Sequence, residues 1–133
     1  QVSQFVHTVL DAGGAPVLWH CSAGKDRTGF AAAVLLRILG VPQATVMQDY
    51  MASLEPALAS RSNQLLMLRV FKGKEAADKL QVMMGVQEAW LEAAFAEIDA
   101  HWGSFDNYVH AGLGLSDDDI ERLRSQLLIP LQD

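Results

Sequence analysis

Residues 20–29 read His-Cys-Ser-Ala-Gly-Lys-Asp-Arg-Thr-Gly, and Cys21 is the chain's only cysteine. A lone thiol is usually a small inert core residue. Here Gly24, Arg27 and Thr28 follow it at a spacing that suits nucleophilic attack on phosphorus. The thiolate is the nucleophile, and an ordinary thiol is mostly protonated at neutral pH. A helix N-terminus, a ring of backbone amides and nearby cations would each favour the ionised form. Gly24 lets the backbone turn inward, so that amides from Ser22, Ala23, Gly24, Lys25, Asp26 and Arg27 can point at phosphate oxygens. Arg27 offers a planar fork able to grip two oxygens at once. Thr28 can donate its hydroxyl to the Cys21 sulfur, easing thiolate departure in a second step. His20 is expected to brace the loop by hydrogen bonding.

Two residues in the stretch have more than one reading. Asp26 beside a bound phosphate dianion would hold its proton more tightly, fitting it to protonate a leaving group and later to activate water. It could equally tie the loop together. Lys25 is either a positive charge at the mouth of the site or a solvated surface charge. The Gly-Lys pair does not make a nucleotide-binding loop, because Asp26 stands where Ser or Thr is required and Trp19 where the first Gly belongs.

The flanking elements must present this loop. Val17–Cys21, "VLWHC", is a short apolar run bounded by turn residues, which reads as a buried parallel strand. Thr28–Leu39 is apolar on nearly every side, so a buried helix follows, closed by Gly40. A ligand loop at the carboxyl end of a strand and the N-terminus of a helix is the usual anion site of an open α/β sheet. Ahead of it, Val2, Phe5, Val6, Val9 and Leu10 share a helical face, and Gly13 and Gly14 end that helix. After it, helices are predicted from Pro42 to before Pro56, over 64–71, over 75–84 and over a stripe of Val86, Trp90, Ala94, Ile98 and Trp102. Residues 57–64 read as a loop or helix start, and Lys72–Glu75 as an exposed linker.

Ser104 is expected to cap a short helix ending near Gly112. Ser116 is expected to cap the last one, with Asp119 completing a capping box and Leu115 and Ile120 a hydrophobic staple; Pro130 ends it. One strand among so many helices cannot satisfy its own backbone groups. The expected fold is therefore α/β, the helix-rich C-terminal part of a larger domain, its other strands lying upstream of Gln1 or in another chain.

Composition narrows the classes. The chain has 133 residues, half of them hydrophobic and a fifth charged, as in a globular domain. A net charge of −6 with no dense basic run offers no case for nucleic-acid binding. One cysteine excludes an intrachain disulfide, and His7, His101 and His110 lack metal-ligand spacing, so no metal or other cofactor is expected. The thiol suits a reducing, cytoplasmic setting, with a secreted effector as the alternative, and no signal segment is visible in this chain. Arg61, Arg69, Lys72, Lys74 and Lys79 form a loose basic region, either a solvated face or a contact for phosphoinositide headgroups.

The loop resembles the Cys-x5-Arg-Ser/Thr signature of cysteine-dependent protein tyrosine phosphatases, and most closely the bacterial and fungal type HCxAGKDRTG. The likeness extends to residues 35–53, "LLRILGVPQATVMQDYMAS", and 102–128, "WGSFDNYVHAGLGLSDDDIERLRSQLL". It implies phosphomonoester hydrolysis through a phosphocysteine: Cys21 as nucleophile, Arg27 and the loop amides as phosphate ligands, and Asp26 as the acid. The implied substrates are phosphotyrosine proteins first and phosphoinositides second, with inorganic phosphate as product. A reading from another class is a phosphate-binding or interaction module without turnover. A third, sulfur or arsenate chemistry, would want a second cysteine.

Overall fold

In the computed structural model, which describes residues 1–129, helices follow one another: α1 Val2–Asp11, α2 Asp26–Ile38, α3 Gln43–Ala52, α4 Leu54–Ala59, α5 Ser62–Lys72, α6 Lys74–Met84, α7 Glu88–Trp102, α8 Phe105–Asn107 and α9 Asp117–Leu127, with a π-helical turn at Tyr108–Gly112 between the last two. The expected α/β class is overturned. No strand forms among the described residues, and Val17–Cys21 has no regular secondary structure. A parallel strand exists only through hydrogen bonds to neighbouring strands, and no strand partner stands beside this run among the described residues. Nor is the run buried throughout, for Leu18 is 90% exposed.

The core is built by α1, α2, α3, α7 and α9. α1 buries Val6, Val9 and Leu10, the face its spacing predicts. α2 buries Ala33, Val34, Leu35 and Ile38 against it, and α9 contributes Leu123, which is wholly buried. Arg37, the one charged residue late in α2, is accommodated by stacking: its guanidinium lies 3.9 Å from the centre of the Phe105 ring and 4.5 Å from that of Phe95. Burial disfavours its charged form and lowers its pKa.

The helix ends follow local chemistry. Gly40 (φ 90°) and Gly103 (φ 81°) take the left-handed conformation that stops α2 and α7. Ser116 accepts from the Asp119 amide while the Asp119 carboxylate accepts from the Ser116 amide, so the capping box forms as expected. The Ser116 hydroxyl, which donates to the same carboxylate at 2.7 Å, and then the Ser116 amide favour the ionised form and lower the Asp119 pKa. Ser104 caps α8, and the following π turn reaches Gly112. The expected stop at Pro130 lies outside the described residues.

Two expectations are shifted. In α7 the inward stripe is Leu91, Phe95 and Ile98, while Trp90 is 39% exposed. The four-residue count from Val86 picked a row that drifts off the buried face, because 3.6 residues make a turn. Pro56 does not keep its surroundings from being helical. It lies in the first turn of α4, where a missing N–H costs nothing.

Candidate active site

α2 begins two residues earlier than the apolar run implied. The Gly29 amide donates to the Lys25 carbonyl at 2.8 Å, which closes a turn holding Asp26 and Arg27. An aspartate at the first helical position also suits the positive end of the helix dipole. Cys21 therefore faces a helix N-terminus. Gly24 has φ 67°, open to glycine at no steric cost, and its amide donates to the Cys21 sulfur at 3.2 Å.

The sulfur gathers further donors. The Thr28 hydroxyl is buried with no hydrogen-bond partner among the described residues, and it is the largest influence lowering the Cys21 pKa. The amides of Ala23, Thr28 and Gly24 act in the same direction, and partial desolvation opposes them. Together they bring the Cys21 thiol from 9.0 down to about 6.

Cys21 and Arg27 line one cavity of about 590 Å³, walled by Phe5, Trp19, Thr28 and Phe30. Trp19 is fixed from two sides: its ring packs on Phe5 of α1 at 5.0 Å, and its indole N–H donates to the Thr28 carbonyl at 3.4 Å. This is how α1 reaches the loop. His20 and Ser22 also line the cavity.

Lys25 and Asp26 turn the other way. The Lys25 ammonium donates to the Asp26 carboxylate at 2.6 Å and to the Gly85 carbonyl at 3.0 Å, and sits 5.5 Å from the Trp90 ring centre. Its side chain is only 11% exposed, so it is neither a solvated charge nor a group at the mouth of the Cys21 cavity. Asp26 lines a second, smaller opening with Phe30, Tyr50 and Trp90. The tyrosine is buried, packs closely on Gly29, and has its pKa raised by burial and then by Asp26. Asp49 beside it in α3 is exposed.

The structure thus brings Cys21, Arg27, Thr28 and the amides of residues 23 and 24 together, and gathers Lys25 and Asp26 on an adjoining face. Sequence reasoning missed Trp19 and Phe5 as walls, and Gly85 and Trp90 as partners of Lys25. Trp19 carried a signal, a large aromatic two residues before the nucleophile; the Gly85 carbonyl, 60 residues away, carried none. Two of the three remaining histidines are satisfied elsewhere: His7 bonds the Leu113 carbonyl at 3.0 Å and His110 the Leu115 carbonyl at 2.7 Å.

The chain is similar in sequence to known proteins. A sequence model of the tyrosine phosphatase family matches residues 1–129. A protein of Cupriavidus necator, assigned by its name to the tyrosine-protein phosphatases, is 38% identical over 116 residues, covering 87% of this chain and 41% of its own length. The triple specificity protein phosphatase PtpB of Mycobacterium tuberculosis is 34% identical over 129 residues, covering 90% of this chain and 46% of its own length. A tyrosine-protein phosphatase of Nostoc commune is 42% identical over 53 residues, 40% of this chain and 18% of its own. The chain thus spans less than half the length of these relatives. The family match runs through the helical scaffold as well as the loop, and the chain belongs to the tyrosine phosphatase family.

Proposed function

We propose that this chain is the part of a phosphatase domain that carries its nucleophile, and that it hydrolyses phosphomonoesters through a phosphocysteine. The observation that carries this reading is the Cys21 sulfur, which accepts from the Gly24 amide at 3.2 Å at the N-terminus of α2 and shares a cavity with Arg27. Cys21 attacks phosphorus as the thiolate, and the ester oxygen leaves with a proton. Water then attacks the phosphocysteine, releasing inorganic phosphate and restoring the thiolate. Arg27 and the amides of Ser22, Ala23 and Gly24 hold the equatorial oxygens while charge builds on them. The Thr28 hydroxyl stabilises the departing thiolate by donating to the sulfur. The positive field comes from protein groups, so the scheme uses no metal.

Asp26 is the proposed proton donor. Its carboxylate is engaged by Lys25, so donation to a leaving oxygen requires that contact to exchange. Phosphotyrosine in protein is the proposed substrate. The cavity walls of Phe5, Trp19 and Phe30 suit an aromatic leaving group. The lone thiol suits a reducing, cytoplasmic setting.

The test is turnover of a phosphotyrosine peptide by the intact protein and by Cys21→Ser and Asp26→Asn. The first variant is expected to lose turnover by at least about 10⁴-fold. Turnover unchanged in it would end the scheme. Asp26→Asn is expected to slow alkyl phosphates far more than p-nitrophenyl phosphate, whose leaving group needs little protonation. Equal slowing of both would move the acid elsewhere. Tight vanadate binding without any hydrolysis would instead make the chain a phosphate-binding module.

A further inference from the structure

Of Lys25 and Arg27, only the arginine lines the Cys21 cavity. A lysine is almost never buried unless its ammonium is paired. That of Lys25 has partners inside and outside the loop. It donates to the Asp26 carboxylate at 2.6 Å and to the Gly85 carbonyl at 3.0 Å, and the centre of the Trp90 ring lies 5.5 Å away, within cation–π reach.

The two distant partners are fixed by their own packing. The Gly85 amide closes the last turn of α6 on the Gln81 carbonyl at 3.0 Å, and Val86, which follows it, is buried in the core. Trp90 stands in the first turn of α7, next to the buried Leu91. The ammonium is thus held from outside the loop. The Asp26 side chain is half exposed, so its carboxylate can leave that ammonium and return while the ammonium stays.

We infer that Lys25 is a positioning residue for proton transfer: a fixed ammonium, held by Gly85 and Trp90, that receives the Asp26 carboxylate once its proton is given up. The inference rests on Asp26 being the proton donor proposed above. In the first step Asp26 passes its proton to the leaving oxygen as the P–O bond breaks and the S–P bond forms, and the new carboxylate pairs with Lys25. In the second, that carboxylate takes a proton from the water whose oxygen bonds phosphorus as the S–P bond breaks, and Asp26 is neutral again. Lys25 keeps its protons throughout. A charge-assisted contact that strengthens as the carboxylate forms favours the transition state over the ground state.

The experiment compares kcat/KM on phenyl phosphate, whose phenol needs a proton to leave, with that on p-nitrophenyl phosphate, whose leaving group needs little. Their ratio reads proton donation. A loss of folded protein, of phosphate binding or of Cys21 ionisation lowers both rates alike and cancels. Lys25→Met is expected to raise the preference for p-nitrophenyl phosphate about tenfold, a part of the roughly 10²–10⁴-fold that a general acid contributes. Trp90→Leu, away from the loop, should raise it about threefold by weakening the anchor. In Lys25→Met/Asp26→Asn the preference should equal that of Asp26→Asn alone. An unchanged preference in Lys25→Met, where Asp26→Asn raises it, would overturn the role of Lys25 and leave Asp26 as the acid. No rise in Asp26→Asn would remove Asp26 as donor and this inference with it. A further rise in the double variant would also overturn it, by placing the Lys25 ammonium on the leaving oxygen itself.

Discussion

α2 and α5 are helices of similar apolar content, and the protein uses them in opposite ways. α2 buries Ala31, Ala33, Val34, Leu35 and Ile38, and its fixed N-terminus holds the loop that curls over Cys21. α5 leaves every residue at least partly exposed. The difference does not lie in hydrophobicity. α2 has α1, α3, α7 and α9 around it, so each apolar side chain meets a partner; α5 has chiefly α6. Rigidity at a reactive loop follows from that enclosure. A cysteine whose ionisation depends on amides and one hydroxyl needs those donors to stay put, and α2 is held by packing on several sides.

The largest effect that would break the comparison is at the loop. Arg27→Lys keeps the charge but loses the planar fork, and is expected to lower kcat/KM on a phosphotyrosine peptide by about 100-fold or more. A change under about threefold would mean that a point charge suffices there. Next comes the scaffold. Leu35→Ala in α2 should cost about 2–5 kcal/mol in urea unfolding, because it opens a cavity in the core. Leu66→Ala in α5 should stay within about 0.5 kcal/mol. Similar costs for the two would show that α5 is as enclosed as α2.

The finest probe is Thr28→Val, nearly the same shape without the hydroxyl. The Thr28 hydroxyl is the largest of the influences lowering the Cys21 pKa, so its loss should raise that pKa toward 9.0. The thiolate fraction near neutral pH then falls, and the acid limb of kcat/KM moves to higher pH. An unmoved limb would assign the lowering to the amides alone.

Much of this was legible in the chain, for reasons that differ by residue. The grouping of Cys21, Arg27 and Thr28 could be read because the turn that joins them is local, eight residues with a glycine where the backbone must invert. The caps at Ser104 and Ser116 were legible for the same reason. Lys25 was not, because its partners, Gly85 just past the end of α6 and Trp90 in α7, arrive through tertiary packing. Trp90 was assigned to the core on periodicity, yet it stands outward beside that ammonium. The strand at Val17–Cys21 was misread because an apolar run records what a segment prefers, whereas a strand also needs a partner. Asp26 shows the limit most clearly. Its type fits an acid, but the geometry joins it to Lys25 on the face next to the cavity.

The account rests on Cys21 being ionised at the N-terminus of α2. Its most direct test is the rate of alkylation of the native protein by iodoacetamide as a function of pH, with loss of turnover followed in parallel. The chain has one thiol, so the signal is unambiguous. A half-maximal rate near pH 6, with turnover lost in step, is the predicted result. A half-maximal rate near pH 9 would mean that the loop donors do not act on the sulfur, and would contradict the mechanism built on them.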